Sequence, residues 1–86
     1  MPEEQVGRVS HYFGKASVAG IDVTAGEIKV GDTIHITGHT TDFTQTIDSM
    51  QIENETVDRA TKGDSIGIKA SDRVRPHDIV YRVLPD

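Results

Sequence analysis

Positively charged side chains concentrate in the last third of the chain. Arg73 and Arg75 lie two residues apart, so they share a face if this segment is extended. Guanidinium groups donate charge-assisted hydrogen bonds to phosphate, which makes this pair a candidate contact. Ordinary surface pairing with Asp72 and Asp78 is the alternative. The candidate contact residues are Arg8, Tyr12, Lys69, Arg73, Arg75 and Arg82.

The four histidines and the acidic segment do not form a recognisable metal-binding pattern. His35 and His39 would lie about 13 Å apart along an extended chain at ~3.3 Å per residue, so we interpret them as surface histidines. The segment that carries Glu53, Glu55 and Asp58 lacks the Asp-x-Asp-x-Asp-Gly order of calcium loops. We therefore predict no metal and no cofactor.

Three consecutive rings end the first predicted strand. His11, Tyr12 and Phe13 follow each other, so the side chains of Tyr12 and Phe13 point to opposite faces. We expect at least one of them to pack in the core or at its rim. The other could stack on a base or on a partner surface.

Catalytic strings are missing from the sequence. There is no cysteine, no nucleophile elbow and no Ser/His/Asp spacing that indicates a hydrolase. The phosphate-cradling string Gly-x-x-x-x-Gly-Lys-[Ser/Thr] is also missing, so we predict neither nucleotide binding nor GTP hydrolysis. The expectation is a protein that is not an enzyme.

The elements that must position these residues are strands. The chain of 86 residues has nine Val, nine Ile and nine Thr but one Leu, and β-branched side chains suit pleated sheets. We predict an all-β fold, a small closed six-stranded barrel, with a half-open barrel or small sandwich as the alternative. Bends are expected at Gly7, Gly20 and Asp48–Ser49, where the apolar alternation changes phase. The predicted strands cover residues 6–13, 16–23, 33–37, 43–52, 65–70 and 79–84.

The organisation is predicted to be simple: a flexible tail at 1–5 and one barrel domain at 6–84. Nine Lys and Arg against fourteen Asp and Glu give a net charge of −5, which argues against a protein that coats phosphate generally. A local cationic patch is still possible, because charges are screened beyond ~8 Å. No stretch approaches the ~20 apolar residues of a membrane helix. With no secretory leader or cysteine in the sequence, we expect a cytoplasmic protein without membrane contact.

Three strings carry a family resemblance. Residues 26–36 have the form Gly-x-Ile-x-Val-Gly-Asp-x-Ile-x-Ile, residues 60–68 the form Ala-x-x-Gly-Asp-x-x-Gly-Ile, and residues 75–80 the form Arg-x-x-Asp-x-Val. In this order the set resembles the second-domain β-barrel of the translational GTPases of the elongation factor Tu type, here as a freestanding domain. His77 stands where that family usually has glycine.

The resemblance implies a function as well as a fold. It implies a non-catalytic binding module that contacts either RNA, on the ribosome or tRNA, or a translation-related protein partner. A similar barrel is also appended to collagenase-like peptidases, so a protein-interaction or regulatory barrel associated with such an enzyme is the alternative. The strings themselves are fold motifs that place glycines at turns and isoleucines in the core.

Overall fold

The computed structural model describes residues 2–85, which form ten strands and no helix. The predicted all-β class is therefore confirmed. Within residues 2–85, no helix is long and apolar enough to cross a membrane. The strands are β1 (Glu3–Phe13), β2 (Val18–Val23), β3 (Glu27–Lys29), β4 (Thr33–Thr37), β5 (Asp42–Thr46), β6 (Met50–Ile52), β7 (Glu55–Val57), β8 (Arg59–Thr61), β9 (Ser65–Lys69) and β10 (Ile79–Val83).

Eight of the strands form one antiparallel sheet in the order β5-β4-β10-β1-β2-β9-β6-β7, and β3 pairs with β8 in a second, two-stranded sheet. Pairing in the larger sheet ends at β5 and β7, so backbone hydrogen bonds do not close it into a barrel within residues 2–85. The predicted number of six strands is wrong. The predicted strand at 43–52 is divided into β5 and β6. The other three additional strands, β3, β7 and β8, were not predicted because each has three residues and lies in a largely polar segment.

A single core lies inside the curled sheet. Alternating residues of the strands point inward, as Ile34 and Ile36 do on β4 and Ile66 and Ile68 do on β9. Each fully buried aliphatic side chain of this size stabilises the fold by roughly 1.5–3 kcal/mol. The buried apolar residues are Val6, Val9, Ala19, Ile21, Val23, Ile28, Ile34, Ile36, Ile47, Met50, Ala60, Ile66, Ile68, Ala70, Val74 and Val80.

Two irregularities bend β1 so that it can pair with β10 and β2. The register with β10 shifts between Gln5 and Gly7, which confirms the bend predicted at Gly7. A Cβ atom on Gly7 would overlap the carbonyl oxygen of Asp22, so glycine is required by close backbone approach. The register with β2 shifts between Val9 and His11, opposite the glycine at position 20 where a phase change was expected.

The bend predicted at Asp48–Ser49 is also confirmed. Strand β5 ends at Thr46, and β6 begins at Met50. The connection returns to the core because Ile47 is buried. This break lets Ile47 and Met50 both face inward although they are three residues apart.

The amino-terminal segment differs from the prediction. Residues 3–5 are the start of β1, and they pair with Val83, Arg82 and Tyr81 of β10. The backbone N–H of Leu84 also donates to the carbonyl of Pro2 at 2.9 Å. The predicted flexible tail is therefore wrong for residues 3–5, and Met1 lies outside the described residues. The sequence did not reveal that the acidic side chains here bind a histidine on β4 and an arginine on β10.

Candidate interaction groove

The loop between β9 and β10 is held in place at its start. The backbone N–H of Ala70 donates to the carbonyl of Ser17 at 2.8 Å, and that of Ser71 donates to Oε1 of Gln45 at 2.7 Å. Within the loop, Val74 is buried, whereas its neighbours Arg73 and Arg75 are exposed. The anchored valine therefore turns both arginine positions toward solvent.

A tight turn completes this loop before β10. The buried carboxylate of Asp78, 4% exposed, accepts the backbone N–H of Arg75 at 2.9 Å. His77 has φ of 76°, in the left-handed region that glycine favours. Its backbone N–H donates to the carbonyl of Val9 at 2.8 Å, so β1 helps to hold this conformation. The turn keeps its shape without the glycine that the resemblance would place there.

Arg73 and Arg75 line a groove of about 250 Å³ between this loop and the β4–β5 hairpin. We call it the seam groove, because it lies beside β5, one end of the larger sheet. Its lining residues are Thr40, Thr41, Asp42, Phe43, Asp72, Arg73 and Arg75.

The arginines are not neutralised by the neighbouring carboxylates. Asp72 Oδ1 accepts the backbone N–H of Arg73 at 2.7 Å, and Asp78 Oδ2 accepts that of Arg75. Among residues 2–85, neither guanidinium group forms an ion pair. The carboxylates shape the backbone of the loop and leave both guanidinium groups available to a ligand.

A histidine lies directly behind one wall of the groove. The Nε2 atom of His35 is 2.6 Å from Oδ1 of Asp42, and its Nδ1 atom is 2.8 Å from Oε2 of Glu3. Both nitrogens must carry a proton to donate to both carboxylates. The hydrogen bond to Asp42 raises the pKa of His35 above its ordinary 6.5; partial burial opposes this, and Glu3 adds to it.

The sequence did not reveal this cluster, because its members come from three strands. His35 was expected to be an ordinary surface histidine, yet its side chain is only 22% exposed and lies between β1 and β5. Asp42, by contrast, is 80% exposed at its side chain and faces the groove. Only knowledge of which strands are neighbours could have joined these residues.

The other predicted contact residues do not extend this groove. Arg82 forms an ion pair with Glu4, with 3.6 Å between Nη2 and Oε2, at the far end of β10. Arg8 lies beside Asp22, Pro76 and His77 in a separate concavity. The candidate contact residues predicted from the sequence therefore lie at separate places on the surface. Of these residues, Arg73 and Arg75 line the seam groove together.

Two further predicted residues also lie elsewhere. Tyr12 packs partly buried against the core, and the exposed aromatic of this tip is Phe13, at 53%. The rings of His11 and Phe13 lie 4.5 Å apart. Lys69 is exposed on β9, where its carbonyl accepts a hydrogen bond from Gln45. Phe13 rather than Tyr12 is therefore the aromatic side chain offered to solvent.

Among residues 2–85, no group of three or more histidine or acidic side chains is placed to hold a metal ion. The Glu3–His35–Asp42 cluster is thus best described as a hydrogen-bonded array.

Solved structures with this fold include the C-terminal domain of a protein assigned to the U32 peptidases of Geobacillus thermoleovorans. One structure of it superposes with a TM-score of 0.87 at 20% identity, covering 94% of this chain and 93% of that domain. A selenomethionine form gives 0.83 at 21% identity, covering 90% and 96%. At these identities the likeness establishes the fold alone.

Curated relatives share more of the sequence. A collagenase of Porphyromonas gingivalis is 41% identical over 78 residues, which is 90% of this chain and 22% of that protein. An uncharacterized protease of Methanocaldococcus jannaschii is also 41% identical over 78 residues, which is 90% of this chain and 19% of that protein. The chain therefore spans about a fifth of the length of these relatives.

The family model of elongation factor Tu domain 2 matches residues 17–73, about two thirds of the chain. The match includes two of the three strings on which the resemblance was based, and the sheet described above has the all-β architecture that it implied. The chain therefore belongs to the elongation factor Tu domain 2 family.

Proposed function

We propose that this chain is a non-catalytic interaction barrel that works with a catalytic unit of the U32 collagenase-like peptidases. The observation that carries the proposal is the 41% identity to a collagenase over 90% of this chain. The match involves about a fifth of that protein, so the shared part is a module that accompanies a much larger enzyme. A barrel of this kind would position a substrate or a partner for that enzyme.

We propose that the chain is not catalytic because of how its polar side chains are arranged. In the described part of the chain, Ser65 Oγ donates to Asp22 Oδ1 at 2.8 Å, and His35 binds two carboxylates. Neither arrangement joins a nucleophile to a histidine base that an acid orients. A small barrel filled by its own side chains also offers little enclosed space for a substrate.

The barrel itself is proposed to close through side chains rather than through strand pairing. Gln45 on β5 donates from Nε2 to the carbonyl of Lys69 at 2.8 Å and accepts from the backbone of Ser71. These two hydrogen bonds join one end of the sheet to the segment that follows β9. The junction would let the outside of the barrel act as a rigid docking surface.

Affinity purification of the tagged chain from its own lysate tests the proposal. One sample is treated with nuclease and washed in high salt, and captured proteins are identified by mass spectrometry. We expect one stoichiometric protein with a U32-type catalytic segment that survives both treatments. Recovery of ribosomal components that disappear with nuclease would contradict the proposal.

A second candidate function is an RNA contact with the ribosome or tRNA. It is favoured by the two guanidinium groups of the seam groove that form no ion pair within residues 2–85. Binding of single-stranded RNA should then weaken with salt, with a slope near −0.7 per phosphate neutralised. The doubly substituted Arg73→Ala, Arg75→Ala chain should lose ribosomal recovery, whereas the exposed Lys62→Ala control should keep it.

A further inference from the structure

We propose that the seam groove binds a carboxylate of an extended polypeptide segment, and that the charge of His35, acting through Asp42, sets how tightly it does so. The inference rests on the proposed function, since it names the partner chemistry of the same barrel. It differs from that function in assigning the contact to one groove and one ligand group.

The first step is the match between the groove and a carboxylate. Arg73 and Arg75 line the groove together, and a guanidinium group can give a carboxylate two parallel hydrogen bonds. Thr40 lies exposed on the opposite wall and adds a hydroxyl group. At about 250 Å³ the groove is smaller than a typical pocket for a small molecule, so it suits one or two side chains.

The second step favours a polypeptide over a nucleic acid. Asp42 and Asp72 line the groove together with the arginines, and the whole chain carries a net charge of −5. A run of phosphates would meet these carboxylates, whereas a single carboxylate can lie between the arginines. The groove also borders the Asp42–Phe43 end of β5, whose backbone pairs on one side with β4, whereas Gln45 farther along β5 is joined to the segment after β9. A free strand edge can receive an extended segment through backbone hydrogen bonds.

The third step is the position of His35. The titratable groups that face its ring are Glu3 from β1, Asp42 from β5 and Tyr81 from β10, whose ring centroid is 6.3 Å away. The protonated ring offsets the charge of Asp42, so the two arginines dominate the groove. The neutral ring leaves Asp42 uncompensated beside the ligand. Two unit charges about 4 Å apart in a water-like dielectric change binding by about three- to tenfold, so we expect an effect of this size from Asp42 on a bound carboxylate.

The test uses a synthetic peptide as the probe. An eight-residue peptide of alternating glutamate with valine or threonine, capped at both ends, carries a dye that does not titrate, and fluorescence anisotropy gives its Kd. We expect binding to the wild-type chain to be about three- to tenfold tighter at pH 6.0 than at pH 8.5. The Arg73→Ala, Arg75→Ala chain should bind at least about tenfold more weakly at pH 6.0, and Lys62→Ala should match wild type.

Two variants separate the histidine from the groove. His35→Gln should abolish the difference between the two pH values, whereas His39→Gln on the hairpin should keep it. Asp42→Asn keeps the size of the side chain but removes the charge, so it should bind at pH 8.5 as tightly as wild type binds at pH 6.0. Circular dichroism confirms that each variant is folded. A pH dependence that persists in His35→Gln, or an Asp42→Asn variant that binds no tighter at pH 8.5, would overturn the assignment to His35.

The outcomes also separate this inference from the proposed function. If the chain captures a U32-type peptidase but the arginine substitutions change neither capture nor peptide binding, the groove is wrong and the function stands. If octauridylate RNA competes for the groove and binds more tightly than the peptide, the polypeptide assignment is wrong. If the peptide binds as expected but no peptidase is captured, the groove stands and the proposed function fails.

Discussion

The carboxylate of Asp78 lies directly against the backbone of Gly38, where the β4–β5 hairpin meets the turn before β10. A Cβ atom built on residue 38 would overlap Oδ1 of Asp78. The same carboxylate accepts the backbone N–H of Arg75 through Oδ2. This contact therefore joins the hairpin to the loop that forms the other wall of the seam groove.

Replacing Gly38 with alanine should destabilise the protein by about 1–3 kcal/mol, because the added methyl group displaces a buried carboxylate and its hydrogen bond. Urea denaturation measures the change. Gly14→Ala is the matched control, since its Cβ would find its nearest neighbour at 3.8 Å. Equal stability of the two variants would show that Asp78 moves aside without cost.

Replacing Gln45 with alanine should weaken the junction between β5 and the segment after β9. Two hydrogen bonds are lost, so the free energy of unfolding should fall by about 1–2 kcal/mol. Hydrogen exchange at the amide of Ser71 should accelerate, because its acceptor is Oε1 of Gln45. Gln5→Ala, at an exposed position on β1, should cost about 0.5 kcal/mol or less. Unchanged exchange at Ser71 would argue against the junction.

The stability of the protein should fall as the pH rises above neutral. The pKa of His35 is raised in the folded state, so its stabilising effect is complete below the unfolded pKa of about 6.5. It is lost as the pH rises through the higher folded-state value. Urea denaturation between pH 6 and pH 9 should show this slope for wild type and for His39→Gln, and a flatter curve for His35→Gln. The same slope in His35→Gln would rule out His35 as its source.

The hairpin between β6 and β7 should accept a stabilising substitution. Glu53 and Asn54 have φ of 50° and 67°, the left-handed conformation of a two-residue type I′ turn. Asparagine followed by glycine suits this turn best, so Glu53→Asn with Asn54→Gly should raise stability by about 0.5–1 kcal/mol. Thermal denaturation measures the gain, and Glu55→Asn in the adjoining strand should give none. A loss of stability would mean that a side-chain contact of Glu53 stabilises the protein by more than its left-handed backbone conformation destabilises it.

The regular parts of the fold were predictable from side-chain periodicity. Ile34 and Ile36 on β4, and Ile66 and Ile68 on β9, alternate with polar residues and are buried as expected. The bulge at Gly7 was predictable for a related reason, because the apolar positions around it change phase. The short strands β7 and β8 were not predictable, since each has three residues with a single apolar side chain, Val57 or Ala60, which is too few to show an alternation.

The groove was predictable only in part. The spacing of Arg73 and Arg75 indicated a shared face, and the buried Val74 between them produces it. The role of Asp42 was hidden, because its distance from these arginines depends on how the sheet curls. The ion pair of Arg82 with Glu4 was hidden by the prediction that residues 3–5 form a flexible tail. Contacts between residues that are distant in the chain cannot be predicted from the local sequence pattern, whereas the alternation of buried and exposed residues can.

The hydrogen bond from Leu84 to Pro2 brings the first and last described segments side by side. A linker of a few residues could therefore join them, and new ends could be opened at the exposed Glu53–Asn54 tip. Such a circularly permuted chain would keep all the strand pairs. Only the covalent connection between β6 and β7 would be opened. By the same geometry, we expect that the domain could be inserted into a surface loop of a host protein through two short linkers.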